Sequence, residues 1–356
     1  VQEDAEQVLV ALDPTWIRYA PLTTSGLVSA AAIWGFSAQY VEQADDLQEK
    51  VEGAVDRVAA LGVGLAVVAG LLAALLLVSL LAVSGYVLTY WGFRLTRHTG
   101  GTLHTRRGLL TARATSLEEK RIRGVEIGRP LGLRLAGAGR LSAVTTGLGH
   151  EGTQRGSAWL TPPAPGEVVT RTAVSVIGDE PAVVGPITRH GRAARRRRYT
   201  RASIPAVLVC AGTVWGATRV DLPAFLVVAG CLPVVFAPML AADRYAALGH
   251  AVTPAHFVVR SGSFSQRRDA LSRDGIIGVT IRESFFQRRA GVVTLTATTA
   301  AGRQRYHAVD LPVEVSTPLA AELLPGPFAD LCGADLHPGG AAAEVSQAGN
   351  AVAADL

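Results

Sequence analysis

The sequence predicts an α+β membrane protein, in which pairs of transmembrane helices alternate with two small antiparallel β-barrel modules that each end in a helix. Three observations lead to this prediction. Four long stretches carry no charged residue, arginines collect on one side of these stretches, and the chain repeats itself at a spacing of 154 residues.

The uncharged stretches cover residues 19–41, 58–93, 202–218 and 222–242. A helix needs about 20 apolar residues to cross the hydrocarbon core of a bilayer, with a range of about 17–25. The stretches therefore predict two helical hairpins, over residues 19–83 and 202–242. Buried core helices of a soluble protein are the alternative, but 36 consecutive uncharged residues at 58–93 exceed what a globular core buries.

The placement of charge predicts the orientation of the hairpins. The loop between the first two stretches is acidic, with six Asp or Glu residues against Lys50 and Arg57. Arginines instead follow the second stretch and precede the third. Because an excess of Lys and Arg marks the cytoplasmic side, we expect a multi-pass protein of the cell inner (plasma) membrane, with both termini and both modules in the cytoplasm.

The repeat needs no gap over the segment that follows each hairpin. A chance coincidence of common residues is the alternative, but the matched positions also share their hydrophobic pattern. We therefore predict two units, each made of a membrane hairpin and about 70 residues of soluble chain. The matching pairs include Arg106 and Arg260, Gly108 and Gly262, Leu117 and Leu271, Ile127 and Ile281, and Leu141 and Leu295.

Short alternating segments separated by glycines predict the strands of both modules. In the first copy they cover residues 86–96, 102–107, 109–117, 121–127 and 140–146. In the second copy they cover residues 256–260, 263–271, 275–281, 291–299 and 303–309, and a helix follows over 310–324. Gly, Ser, Thr and Pro predict a loop over 149–166.

These elements predict a linear order of domains. A polar cytoplasmic lead-in, helix-like over residues 1–13, occupies residues 1–18 and precedes hairpin 1 (19–83) and module 1 (84–160). A basic linker (161–201) leads to hairpin 2 (202–242) and module 2 (243–325), and residues 326–356 form an Ala- and Gly-rich tail that we expect to be disordered.

Three motifs in the first copy resemble a known family. They are Tyr90-Trp91-Gly92-Phe93-Arg94-Leu95, then Leu103 with Arg106-Arg107-Gly108-Leu109-Leu110, then Lys120-Arg121-Ile122-Arg123-Gly124-Val125. They resemble the bacterial PH-like domain 2 group, membrane proteins with pleckstrin-homology-like barrels beside paired helices. The resemblance implies a split barrel with a C-terminal helix and no catalytic residues. Larger members carry a further N-terminal copy, so we expect a segment upstream of Val1.

Motifs that carry catalysis or cofactor binding are missing from the sequence. It has no Walker loop, no GxGxxG after a strand, no HExxH and no GxSxG. Its eight histidines and three cysteines have no metal-ligand spacing. We therefore expect a protein that is not an enzyme and that has no catalytic residue, no metal and no cofactor.

Arginines are the candidate site residues, because anionic lipid headgroups attract basic surface segments. The alternative for the run before hairpin 2 is a purely topogenic signal. Nucleic-acid binding is not expected, because neither interleaved aromatic residues nor a recognition helix accompanies the run. The candidates for the membrane surface are Arg106, Arg107, Arg121, Arg123, Arg195, Arg196, Arg197 and Arg198.

Three functions are compatible with these features. The first is a membrane-anchored scaffold whose modules bind a membrane protein partner or a second copy of the chain. The second is an anionic-lipid sensing or lipid-handling module that uses the arginines on headgroups of the inner leaflet. The third, a transporter component or an enzyme, is disfavoured because the predicted membrane helices carry no polar or charged residues that would form an ion path and because no catalytic motif is present.

Overall fold

A computed structural model describes residues 6–23, 63–146, 157–220 and 222–324 of the chain. The chain divides into two compact units. Unit 1 consists of Val1–Val184 together with Phe264–Arg268, and unit 2 consists of Gly185–Ser263 together with Asp269–Leu356.

Unit 1 contains two antiparallel sheets and a long apolar helix. One sheet has the strand order β1-β2-β3-β4, and β7-β6-β5 form a second antiparallel arrangement. In chain order the elements are β1 (Gln7–Ala11), a 3-10 helix (Pro14–Leu22), α1 (Val63–Tyr90), β2 (Arg94–His98), β3 (Thr102–Arg107), β4 (Arg113–Glu118), a 3-10 turn (Glu119–Arg121), β5 (Ile122–Pro130), α2 (Leu131–Leu135), β6 (Ala138–Thr145), β7 (Ser157–Pro165), α3 (Gly166–Ile177) and α4 (Glu180–Val184).

Strand β1 precedes the apolar helix in sequence, but it completes the sheet that follows that helix. It pairs with β2, and the buried side chains of Val10 and Leu95 face each other in the register. The prediction of a helix-like lead-in was therefore wrong for Gln7–Ala11, which form an edge strand, while residues 1–5 lie outside the described residues. The 3-10 helix covers the first residues of the stretch 19–41, and residues 24–41 of that stretch lie outside the described residues.

Unit 2 has the same kinds of element. Strands β8 and β9 pair antiparallel next to β10, while β11-β12-β13 form a separate sheet. The elements are α5 (Gly191–Ala217), α6 (Ala224–Ala246), β8 (Gly249–Val252), β9 (His256–Ser261), β10 (Ser265–Ser272), a 3-10 turn (Arg273–Gly275), β11 (Ile276–Arg282), α7 (Phe285–Arg288), β12 (Val292–Thr299), β13 (Arg305–Pro312) and α8 (Val313–Leu323).

The repeat predicted from sequence is present in the secondary structure. An offset of 154 residues maps β3 on β9, β6 on β12 and the first 3-10 turn on the second. Several matched positions are buried in both copies, such as Leu103 and Phe257 or Leu141 and Leu295, whereas Ile127 is buried and its match Ile281 is half-buried. After β6 the offset changes, yet both copies end in the same way, with a helix that starts directly after a proline, Pro165 or Pro312.

Two predicted elements in and after module 1 were wrong. Residues 86–90 belong to α1, so only the end of the segment 86–96 is a strand. Ser157–Pro165 is strand β7 and not a loop, so the predicted basic linker also contains the end of β7, helices α3 and α4 and the start of α5. The prolines of β7 obscured it, but a strand at the end of a sheet tolerates them because one side needs no ladder hydrogen bonds.

Two of the described helices are long and apolar enough to cross a membrane. They are Val68–Tyr90, with a mean hydropathy of 2.5, and Ala224–Ala246, with a mean hydropathy of 2.3. Only 12% and 11% of their apolar windows are buried. A core helix of a soluble protein would be mostly covered, so these helices expose large apolar surfaces that water does not favour.

Helices α5 and α6 pack closely through small residues. Ala206, Ala237 and Ala241 are buried between or beside them, and the sulfur atoms of Cys210 and Cys231 lie 2.9 Å apart. A Cβ atom on Gly230 would overlap the β-branched side chain of Thr213. Small residues that allow close approach of two helices are typical of membrane hairpins, where packing replaces the hydrophobic effect as the driving force.

We expect Gly230→Ala to destabilise this hairpin, because the added methyl group must displace Thr213. Overpacking of this kind reduces the free energy of unfolding by about 1–3 kcal/mol. The measurement is chemical unfolding of the full chain in detergent micelles. Gly212→Ala on the facing helix is the matched control, since its Cβ meets open space. Equal stability of the two variants would contradict the close contact.

Candidate functional site

Each module is held against the end of its apolar helix by residues at the end of one strand, β3 or β9, and in the turn that follows it. In unit 1 the Gly108 amide donates to the Trp91 carbonyl at 3.0 Å, and the Leu109 amide donates to the Leu88 carbonyl at 3.1 Å. Gly108 has a φ of 110°, a conformation that favours glycine. These two bonds join the turn after β3 to the end of α1, so the sheet and the helix are connected directly.

Unit 2 makes the equivalent connection with side chains. The Arg260 guanidinium donates to the carbonyls of Ala246 at 2.6 Å and Ala247 at 3.3 Å, which end helix α6. The Ser263 hydroxyl donates to the Asp243 carboxylate at 3.1 Å. A positive side chain at a helix C-terminus also compensates the negative end of the helix dipole.

The arginine run at the start of α5 divides between two environments. Arg195 and Arg196 are exposed. Arg197 and Arg198 lie on the same side of the helix as the buried Ala194, three and four residues earlier, and their side chains are only 12% and 19% exposed. The helical period thus turns half of the run toward the protein.

Arg197 and Arg198 share one carboxylate. The Arg197 Nε lies 3.0 Å from Oδ1 of Asp310, and an Arg198 terminal nitrogen lies 3.0 Å from Oδ2. The Asp310 side chain has no exposed surface, and Gln287 donates a hydrogen bond of 3.1 Å to Oδ1. A buried charge requires such partners. Burial lowers the pKa of Arg198, while the Asp310 charge acts in the opposite direction.

A pair of buried histidines lies beside this cluster. His190 Nδ1 is 2.8 Å from the Val309 carbonyl oxygen and must donate, because that oxygen only accepts. Its Nε2 then accepts from His250 Nδ1, at 3.1 Å. Burial lowers the pKa of His190, and burial followed by the neighbouring His190 lowers the pKa of His250 to about 4. The neutral pair therefore ties the start of α5 to β8 and β13.

Comparison with known proteins agrees with this architecture. Residues 57–165 and 203–325, more than half of the chain, match the bacterial PH domain family. The protein is a member of the bacterial PH domain family. No curated protein and no solved structure matches the chain significantly. The resemblance inferred from the sequence motifs is thereby confirmed, for both copies.

The four predicted arginines of the first PH module do not converge on one site. Along the β3–β4 pair, Thr102 faces Glu118 and Arg107 faces Arg113, so the two ends lie about 17 Å apart at about 3.4 Å per residue. Arg106 and Arg107 are at the end that adjoins α1, and the Arg107 guanidinium lies 5.8 Å from the Tyr90 ring centroid.

The other two arginines of this PH module lie at the opposite end. Arg121 follows β4 and forms an exposed ion pair with Glu118 at 3.2 Å, and Arg123 is half-buried near the start of β5. An exposed ion pair of this kind contributes little to stability. Arg121 and Arg123 are therefore separated from the helix end where Arg106 and Arg107 lie.

Sequence reasoning missed Asp310, which is more than 100 residues away from the arginine run that it supports, and it missed the buried pair of His190 and His250. One signal was present, because Asp310 follows a predicted strand as a lone acid in an apolar segment. Among the residues that the structure describes, no group of three His, Cys, Asp or Glu side chains is placed to hold a metal ion.

We expect Asp310→Asn to destabilise unit 2, because it leaves two partly buried guanidinium groups without their counter-charge. Breaking a buried pair in this way reduces the free energy of unfolding by about 3–5 kcal/mol. Asparagine also tolerates the φ of 58° at this position, so the charge is the main change. Chemical unfolding of the full chain in detergent micelles measures the effect.

The matched control is the double substitution of Arg195 and Arg196 by Gln. These exposed members of the same run should change the free energy of unfolding by less than about 1 kcal/mol. A stability of Asp310→Asn equal to that of the wild type would contradict the structural role of the carboxylate.

Proposed function

We propose that this protein is a non-enzymatic scaffold of the inner membrane that presents two PH-like modules at the cytoplasmic face for protein–protein assembly. The observation that carries the proposal is an open sheet edge in each unit. In the part of the chain that the structure describes, β4 ends the order β1-β2-β3-β4 and β11 ends the order β11-β12-β13. Most side chains of both strands are exposed or half-buried.

An open edge offers unpaired backbone N–H and C=O groups to an added strand. Addition of a partner strand is a common mode of peptide recognition by antiparallel sheets. The direct connection between each module and its apolar helix supports a scaffold further. A partner bound at such an edge would be held at a defined height and orientation over the membrane.

Anionic-lipid sensing or handling is the second candidate. The pairing of Arg197 and Arg198 with Asp310 counts against the full arginine run as a headgroup site. Arg195 and Arg196 remain available, as do Arg106 and Arg107 at the end of α1. A transporter component is the third candidate, and no specific observation favours it.

Site-specific photo-crosslinking in native membranes tests the scaffold. A photoreactive residue at Ala114 on β4 or at Ile277 on β11 should give an adduct of discrete mass, with a protein partner or with a second copy of the chain. Both positions are exposed, as is Arg171 on α3, which is the control position away from an edge. Absence of an adduct at both edge positions, or equal adducts at Arg171, would overturn the proposal.

The proposed topology has its own test. In a chain whose three cysteines are replaced by serine, Val220→Cys lies between α5 and α6, and Arg196→Cys lies near the start of α5. A membrane-impermeant maleimide should label position 220 in intact cells and position 196 only after the membrane is disrupted, because the basic flank stays inside. The reverse pattern would contradict the cytoplasmic placement of the modules.

A further inference from the structure

Helix α7 carries the most exposed aromatic pair of unit 2. Phe285 and Phe286 are 75% and 72% exposed, and their rings contact each other edge to face at 5.5 Å. Two adjacent phenylalanines rarely remain in water, because each exposes a large apolar surface. We call these residues, together with the flanking Arg282, Arg288 and Arg289, the Phe–Arg patch.

The exposure of the aromatic pair is built into the fold. Ser284 and Gln287 form a capping box, in which the Gln287 amide donates to the Ser284 hydroxyl at 3.3 Å and the Ser284 amide donates to the Gln287 side chain at 3.1 Å. The Gln287 side-chain amide also donates to Thr294 at 2.8 Å and to Asp310 at 3.1 Å. Gln287 thus points inward and keeps the two preceding phenylalanines outside.

The first copy lacks this feature at the equivalent position. Leu131 and Gly132 correspond to the two phenylalanines at the offset of 154 residues, and both are half-buried. A Cβ atom on Gly132 would lie 2.7 Å from the Leu22 carbonyl oxygen, so the 3-10 helix Pro14–Leu22 covers this turn. In the second copy the equivalent turn therefore differs in both sequence and exposure.

The charge around the aromatic pair is positive. Arg282, Arg288 and Arg289 are exposed, and the only acid between them is Glu283. Glu283 lies 3.4 Å from Arg288, whose side chain is 78% exposed, so this ion pair leaves the patch with a positive balance. Phenylalanines surrounded by arginines complement an anionic bilayer surface, which offers negative headgroups above an apolar layer.

The patch lies at the end of unit 2 that adjoins the apolar helices. Strand β8 leaves the end of α6, and the turn after β8 contacts the far end of β10, where the Arg273 amide donates to the Ala255 carbonyl at 2.9 Å. Strand β11 starts after the 3-10 turn that begins at Arg273, and α7 follows the other end of β11. Gln287 and Arg197 both contact Asp310. Arg197 lies only five residues, or about 7.5 Å of helix, before the uncharged stretch that starts at residue 202.

We propose that the Phe–Arg patch inserts into the interface of an anionic bilayer, with Phe285 and Phe286 at the level of the headgroups and the three arginines on lipid phosphates. This contact fixes module 2 against the membrane and leaves the β11 edge accessible from the side. The inference is independent of the scaffold function, since it requires a lipid surface and no protein partner.

Spin-label accessibility in nanodiscs tests the proposal on the full chain. In the cysteine-free background, a label at Phe286→Cys or at Phe285→Cys replaces an exposed side chain, so the fold should be retained. The matched control is a label at Ile277→Cys, which is 69% exposed at the far end of the same strand, β11. Nanodiscs contain either phosphatidylglycerol with phosphatidylcholine, or phosphatidylcholine alone.

In anionic nanodiscs we expect the labels at 285 and 286 to be several-fold less accessible to a water-soluble nickel complex than the label at 277, and more accessible to oxygen. Replacement of Arg282, Arg288 and Arg289 by Gln should raise the nickel accessibility at 286 several-fold. Equal accessibility at 286 and 277 would overturn the proposal. Protection at 286 that persists without anionic lipid and in the arginine variant would also overturn it, because a protein surface would then cover the patch.

Discussion

The carboxylate of Asp310 is the point on which the organisation of unit 2 depends. It carries a charge with no exposed surface, and a charge is tolerated there only because guanidinium groups and an amide compensate it. These partners come from different elements, the start of α5 and the turn at α7. One buried charge therefore connects the helix hairpin, the sheet and the aromatic turn, while the neutral histidine pair adds a second connection beside it.

The two units use different chemistry to achieve the same junction between helix and sheet. In unit 1 backbone hydrogen bonds from a glycine turn close onto the end of α1, whereas in unit 2 the side chains of Arg260 and Ser263 reach the end of α6. A PH-like module held in this way cannot rotate freely relative to its apolar helix. Such a rigid connection suits a scaffold, because the orientation of a bound partner would be transmitted from the helix to the sheet edge.

The repeat also shows where the copies have diverged. Several core positions are equivalent in the two copies, such as Leu117 and Leu271 or Leu141 and Leu295, since buried side chains must fill similar space. The turn that follows β5 in one copy and β11 in the other is under no such constraint. In one copy it is covered by a 3-10 helix, and in the other it exposes two phenylalanines among arginines. Surface positions of this kind are where two copies of one fold can acquire different contacts.

The sequence alone determined the mixed α/β character with antiparallel strands, the two copies and, closely, the strands β9 to β13, because hydrophobic alternation is a local signal. It also identified the arginine run. It misassigned β1 and β7, because an edge strand of five residues and a strand with three prolines carry little local pattern. Only the tertiary structure decided that Arg197 and Arg198 pair with Asp310, while Arg195 and Arg196 stay outside. The partner lies more than 100 residues away, and burial of charge depends on what surrounds a side chain rather than on its neighbours in sequence.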